Sequence, residues 1–152
     1  MLDVRYVAGL FDGDGYVRIN RWEKPESTHI RYNIHAGINM THRPIIEDLH
    51  RQFAGNLHKT RRPSIKPTHR TLYSWTVTSA AAAAFLRLIR PHCIVKADEI
   101  DIALKLQDSI DEWNHRLGWH YGVHPRRPEI RAYRERLFAE IAELKRVRFD
   151  PT

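Results

Sequence analysis

At 152 residues the chain is the size of one domain with a sizeable core. Its net charge of +7 and its isoelectric point near 9.9 point to a polyanionic partner, nucleic acid being the simplest. The lone Cys93 excludes an intramolecular disulfide and a cysteine-cluster zinc site. No apolar run approaches the ~20 residues that span a bilayer, which excludes a helical membrane protein. The Met1-Leu2-Asp3 start has no signal- or transit-peptide character, so an intracellular place is expected, in a bacterial or archaeal cytoplasm or an organelle.

In chain order, residues 3–13 predict a first helix with Asp3 as its N-cap and Tyr6, Val7, Leu10 and Phe11 as its apolar face. Gly9 sits in its interior, where glycine costs roughly 1 kcal/mol relative to alanine. A Gly9-x-x-x-Gly13 pair offsets that cost if another backbone approaches closely. Residues 16–22 and 30–40 alternate as a long hairpin around the Lys24-Pro25-Glu26-Ser27 turn signal. Val17, Ile19, Tyr32, Ile34, Ala36 and Ile38 take the core face. Tyr16, Arg18, Asn20, Trp22, Arg31, Asn33, His35, Gly37 and Asn39 take the other face.

A second helix is predicted over 43–54, with Pro44 at its first position and Gly55 as its stop. Two shorter strands follow, 56–62 and 70–78, the second carrying Tyr73, Trp75 and Val77 on one face. The basic stretch between them reads as a loop. Ser79 is placed as the cap of a helix over 80–89. Residues 96–112 give a fourth helix, 113–125 a loop, and 128–147 a last helix with Ile130, Tyr133, Leu137, Ile141 and Leu144 in register.

The order α-β-β-α-β-β-α plus C-terminal helices implies one α+β domain over 1–152, with a core at about 3–112 and a C-terminal loop and helix over 113–152. Helices cover one face of a twisted, mainly antiparallel sheet. The other face is basic and polar, and a two-stranded ribbon of this kind fits a DNA major groove. Strand alternation marks Arg18, Asn20, Arg31, Asn33, His35, His58, Thr60, Arg62 and Arg70 as the DNA-binding side chains.

Val7-Ala8-Gly9-Leu10-Phe11-Asp12-Gly13-Asp14-Gly15 resembles the motif of the LAGLIDADG homing endonucleases, matching at Ala8, Gly9, Leu10, Asp12, Asp14 and Gly15. The resemblance extends through the element order to about residue 112. It implies a site-specific DNA endonuclease that makes a double-strand break by phosphodiester hydrolysis, with Mg²⁺ as cofactor and Mn²⁺ or Ca²⁺ as other occupants. It implies Asp14 as the metal-binding catalytic carboxylate and the Gly13 carbonyl as a further ligand. It also implies Asn39 as the residue that positions water, Arg43 in the solvent network, and Lys96 beside the scissile phosphate. The physical chemistry agrees, since Mg²⁺ takes one or two carboxylates plus waters and phosphate oxygens. The second acidic residue, Asp12, reads as a local hydrogen-bonding group near the helix end.

Only one copy of the motif is present, and a duplex has two strands to cut. A C2 homodimer is therefore expected, with Ala8, Gly9, Asp12 and Gly13 at its interface and a long pseudo-palindromic DNA target. A non-cutting nucleic-acid binder on the same scaffold, an RNA splicing cofactor or a transcriptional regulator, is the alternative. Two other motifs are set aside. Asp12-x-Asp14 starts like an EF-hand loop but carries Val17 where that loop needs glycine. His120-x-x-x-His124 has helical zinc spacing, but Gly118, Gly122 and Pro125 argue against a helix there.

Overall fold

The structure, a computed structural model, describes residues 1–23, 30–60, 70–117 and 127–149. The elements among them are α1 (Val4–Asp14), β1 (Gly15–Glu23), β2 (Ile30–Met40), α2 (Arg43–Phe53), β3 (Asn56–Thr60), β4 (Leu72–Thr78), α3 (Ser79–Ile89), α4 (Ala97–Leu117) and α5 (Pro128–Phe149), with a short 3-10 turn at Arg90–His92. The sheet has the order β1-β2-β4-β3 and every pair is antiparallel. No described helix is long and apolar enough to cross a membrane.

α1 starts where Asp3 caps it, its carboxylate accepting from the Arg5 N–H at 2.8 Å and the Tyr6 N–H at 3.3 Å. Val7, Ala8 and Phe11 turn inward and are fully buried. Phe11 stacks edge-to-face on Phe85, which also meets Trp75 and Phe53, so an aromatic cluster lies directly behind the helix. Such pairs contribute about 0.5–1.5 kcal/mol each beyond their buried area. β1 leaves this cluster without a gap. A Cβ at Gly15 would lie 2.4 Å from the Phe11 ring and 2.6 Å from the Phe11 carbonyl, so only glycine lets the chain pass so close to Phe11.

The alternating strands divide the sheet cleanly. Val17, Ile19, Ile34, Ala36, Ile38, Trp75 and Val77 are buried beneath the helices. The pairings Arg18–His35, Asn20–Asn33 and Trp22–Arg31 on the hairpin, and His58–Ser74 and Asn39–Ser74 further across, set the polar side chains on the opposite face. At Gly37 the polar face comes close to the backbone. A Cβ there would meet the Trp75 carbonyl at 2.6 Å and the Tyr16 hydroxyl at 2.7 Å.

Four expectations are corrected. Tyr6, placed on the apolar face of the first helix, is 51% exposed, and Ala8 takes the inward position. The aromatic cluster behind Phe11 decides this, because it draws in the stripe of Val4, Val7, Ala8 and Phe11. Trp113 to Leu117 continue α4 rather than opening a loop. The Glu112–Arg116 ion pair at 2.5 Å and the Trp113 ring beneath two guanidinium groups support that extra turn. Ser79 is the first residue of α3, at φ 52°, and its N-cap Thr78 makes no side-chain capping bond. Pro44 is the second residue of α2, which starts at Arg43. Arg62, the loop 62–69, the hairpin turn at 24–27 and the His120/His124 pair lie outside the described residues.

Candidate active site and nucleic-acid interface

The end of α1 carries two carboxylates with different surroundings. Asp12 turns back into the protein. Its Oδ2 accepts from the N–H groups of Ile94 at 2.6 Å and Val95 at 3.1 Å, and its Oδ1 from that of Lys96 at 3.1 Å. Burial raises the Asp12 pKa, but the three backbone donors outweigh it and hold the carboxyl below the usual range. Asp12 is thus committed to fixing the turn over 93–96 against α1. The sequence reading makes it a local hydrogen-bonding group near the helix end, whereas its partners are backbone N–H groups more than 80 residues away along the chain.

That turn delivers Lys96. The side chain is 8% exposed and its Nζ donates to the Asp12 carbonyl, one residue from Gly13 and two from Asp14. Burial pushes the ammonium below the ordinary lysine range, Glu99 and Asp12 oppose that push, and Arg148 adds to it. Beside it, the Cys93 thiol donates to the Ala8 carbonyl at 3.8 Å, and burial lifts its pKa to about 11, so it stays protonated.

Gly13 and Asp14 are exposed at the same helix end. Aligned peptide dipoles put a partial negative charge there. The exposed carboxylate, that partial charge and the surrounding carbonyls make an oxygen-only donor set, which suits a hard divalent cation. No described group of three or more His, Cys, Asp or Glu residues forms a self-contained metal site. One free carboxylate is offered at this helix end, a donor set that would need water or other oxygen ligands to complete a cation's shell.

β2 brings Asn39 to this end of the molecule, because its neighbour Ile38 pairs with Gly15, the neighbour of Asp14. Asn39 is exposed. Arg43, three residues past β2, opens α2 and is committed elsewhere. Its Nε donates to Glu47 at 2.6 Å, which raises its pKa, and its guanidinium lies over the Tyr73 ring.

Sequence reading did not single out the charged cluster behind Lys96. Glu99 is 2% exposed and ion-paired to Arg148 Nη1 at 2.5 Å. Arg148 Nη2 donates to the Val95 carbonyl at 2.5 Å, and Lys145 Nζ donates to the Val17 carbonyl. A signal was present. Glu99 shares the helical stripe of Ile102, Ala103 and Leu106, and Lys145 and Arg148 continue the stripe of Leu137 and Ile141. Charges on an apolar stripe have partners inside the fold.

On the polar sheet face, Arg18 Nε donates to His35 Nδ1 at 3.0 Å and Asn20 Nδ2 donates to Asn33 Oδ1 at 3.2 Å. Tyr16 packs edge-on to His35. Burial, then the charges of Arg18 and His58, depress the His35 pKa, so the ring is neutral at pH 7 with its Nε2–H available as a donor. Arg18, Arg31 and His58 are exposed, as is Arg70, which precedes β4. The Thr60 side chain and Arg62 are not among the described groups.

α1 also presents an outer stripe of Tyr6, Gly9, Leu10 and Gly13. Built Cβ atoms at Gly9 and Gly13 meet nothing within 4 Å, so neither glycine is required by the packing of this chain. Ala8 is different, being fully buried in its own core and so absent from any outer contact surface.

No family model matches the chain and no curated protein matches it by sequence. Its fold has clear counterparts. The homing endonuclease I-CvuI, solved in complex with its target, superposes at a TM-score of 0.70 with 12% identity over 93% of this chain and 80% of that one. The homing endonuclease I-TnaI gives 0.69 with 13% identity, covering 95% of both chains. The LAGLIDADG homing endonuclease I-GzeII, solved in complex with its DNA target, gives 0.60 with 15% identity, over 93% of this chain and 44% of that one. The chain has the fold of the LAGLIDADG homing endonucleases, and its motif residues lie on α1 and at the first position of β1.

Proposed function

We propose that this chain is a site-specific DNA endonuclease that makes a metal-dependent double-strand break as a homodimer. The observation that carries the reading is the exposed Asp14 carboxylate at the negative end of α1, with the Lys96 ammonium bonded to the carbonyl of Asp12 two residues away and the polar sheet face adjoining it. DNA as the substrate is supported by the +7 charge, by that face, and by fold neighbours solved with DNA.

Asp14 and the Gly13 carbonyl would hold the divalent cation, Mg²⁺ being the physiological choice. I-CvuI was solved with Ca in one case and with Mg in another. When bound, such a cation supplies Lewis-acid polarisation of the scissile phosphate and stabilises charge on the leaving oxygen. The chain's own residues do the rest. Lys96 neutralises charge that develops on the phosphate as a water oxygen bonds to phosphorus and the ester P–O bond breaks. Asn39 orients water through its amide. Arg43 reaches the same solvent only by exchanging its Glu47 partner.

Duplication of this half-site follows from the single motif. I-GzeII matches nearly all of this chain with under half of its own length, so its chain has room for two such units. Here the outer α1 stripe, open at Gly9 and Gly13, brings two copies and two Asp14 residues together. A pair carries a net charge of about +14, twice that of one chain, so DNA affinity falls steeply with salt.

The test is selection of cleaved sites from a randomised DNA library with Mg²⁺, followed by cleavage of the selected site by wild type and Asp14→Asn. Loss of cutting in the variant alone supports the reading. Specific binding without cutting by the wild type replaces it with that of a non-cutting binder. For assembly, light scattering should show a dimer that Gly9→Leu weakens, and a monomeric wild type at micromolar concentration overturns the dimer.

A further inference from the structure

We propose that Arg148, acting with Glu99, is a positioning residue for the Lys96 ammonium, so that the last turn of α5 sets the geometry at the end of α1. The role of Lys96 rests on the nuclease reading, whereas the place where it is held does not.

The turn over 93–96 has little apolar anchorage along its exposed half. Ile94 is 86% exposed and Val95 is 54% exposed, so their side chains contribute little to holding it. Polar bonds hold it from two sides. From α1, the Asp12 carboxylate takes the N–H groups of Ile94, Val95 and Lys96. From α5, Arg148 donates to the Val95 carbonyl through Nη2 and forms an ion pair with the buried Glu99 carboxylate through Nη1. One planar side chain therefore ties the peptide before Lys96 to the first turn of α4, which follows it. Lys145, three residues earlier on α5, bonds the Val17 carbonyl of β1, the strand that begins right after Asp14. The same helix end thus touches the turn carrying Lys96 and the strand that follows Asp14.

Arg148 also decides where Lys96 points. Glu99 is a buried anion, and among nearby charges it acts most strongly on Lys96. With Arg148 neutralising it, the Lys96 Nζ remains on the Asp12 carbonyl. Without Arg148, Glu99 is a buried, uncompensated charge with Lys96 and Lys145 as the remaining cations in reach. The ammonium then swings away from the end of α1 toward the carboxylate.

The experiment uses the full chain as wild type, Arg148→Ala, Arg148→Lys, Glu99→Gln and the Arg148→Ala/Glu99→Gln double variant. The first readout is the rate at which acetic anhydride modifies Lys96, followed by peptide mass spectrometry with the exposed Lys105 as internal reference. The second is the single-turnover cleavage rate on the selected target, with DNA affinity and Tm measured alongside. Arg148→Ala is expected to change the Lys96 modification rate several-fold relative to Lys105. It is expected to slow cleavage on the order of 10–100-fold while affinity is held. Arg148→Lys should recover part of the rate. The double variant should cut faster than Arg148→Ala, because the competing anion is gone. Unchanged Lys96 reactivity in a folded Arg148→Ala variant overturns the proposal, as does a double variant slower than Arg148→Ala. If Arg148→Ala does not fold, Arg148→Lys and Glu99→Gln carry the same readouts, and unchanged Lys96 reactivity in both overturns it. A wild type that does not cut, with Lys96 reactivity still shifted by Arg148→Ala, sinks the nuclease reading and leaves the positioning role standing.

Discussion

The turn over 93–96 and the polar face of the sheet are held in place by different forces. The turn exposes Ile94 and Val95 and is fastened by charged side chains: Asp12 on three N–H groups, Arg148 on the Val95 carbonyl, and Lys96 on the Asp12 carbonyl. The sheet face is held from behind, by Val17, Ile19, Ile34, Ile38 and Trp75 packed under the helices. Its outward side chains include the cross-hairpin pairs Arg18–His35 and Asn20–Asn33. Under the proposed function, an ammonium that meets one phosphate gains from bonds on several sides. Under the same reading, a surface that follows a duplex needs a fixed backbone and side chains that can trade partners, because base edges and phosphates take their donors.

Substitutions can break this contrast, and the largest effect is expected at Asp14. Asp14→Asn should reduce single-turnover cleavage by on the order of 10²–10³-fold or more, with DNA affinity little changed. Cutting at the wild-type rate would remove Asp14 from the site. Next is Asp12→Ala, which strands three backbone donors. Urea unfolding should show a loss of about 2–4 kcal/mol, whereas Asn20→Ala on the sheet face should cost about 1 kcal/mol or less. Equal losses at the two positions would erase the distinction drawn between them.

The Asp12 contribution has a sign that pH can check. Its carboxyl is held below its unfolded value, so the stabilisation is present above the ordinary carboxylate range and is lost as pH falls through the lowered folded-state pKa. Asp12→Asn should flatten the acid side of the stability profile. A profile unchanged by that substitution would mean that the three bonds do not form in solution.

Smaller effects belong to α1 and the sheet face. Gly9→Ala adds a methyl group to open space on a helix, so it should stabilise the isolated chain by about 0.5–1 kcal/mol. If dimerisation uses that stripe, the same change weakens association, and the two measurements move in opposite directions. At His35 the folded-state pKa is depressed, so its contribution is complete above the unfolded histidine range and declines as pH falls through it. His35→Gln should remove a few tenths of a kcal/mol of that acid-side decline in urea titrations. No change between pH 5 and 7 would mean that burial and the charges of Arg18 and His58 do not bear on the ring as described.

Local rules made the strands and their faces legible. Alternation over 16–22 and 30–40 assigns each side chain to a face because the strand period is two, and β1 and β2 carry the same division. The motif over 7–15 was legible for a similar reason, since small and acidic residues at fixed helical spacing restrict what can pack on and beyond α1. Helix ends were less legible. The extra turn at 113–117 depends on Trp113 and its guanidinium neighbours, one of which, Arg127, is brought there by the fold. Tyr6 was read as core because the apolar residues at 6, 7, 10 and 11 form one stripe, while the placement of the aromatic cluster selected Val7, Ala8 and Phe11 instead.

By itself the sequence determined the element order, the face of each hairpin residue and the presence of two carboxylates at the end of a helix. These depend on residues close to one another along the chain. It could not separate the tasks of those carboxylates by contact, because the groups that do so are far away in sequence. The N–H groups of residues 94–96 turn Asp12 into a structural brace, and none of the bonds that describe the site involves the Asp14 carboxylate. The same holds for Lys96, whose Nζ bonds to residue 12 and whose preceding peptide bonds to residue 148. Local spacing can place a charge on a helix or a turn. Only the packing of α4 and α5 against α1 and β1 decides which charges are bonded inward and which remain facing solvent.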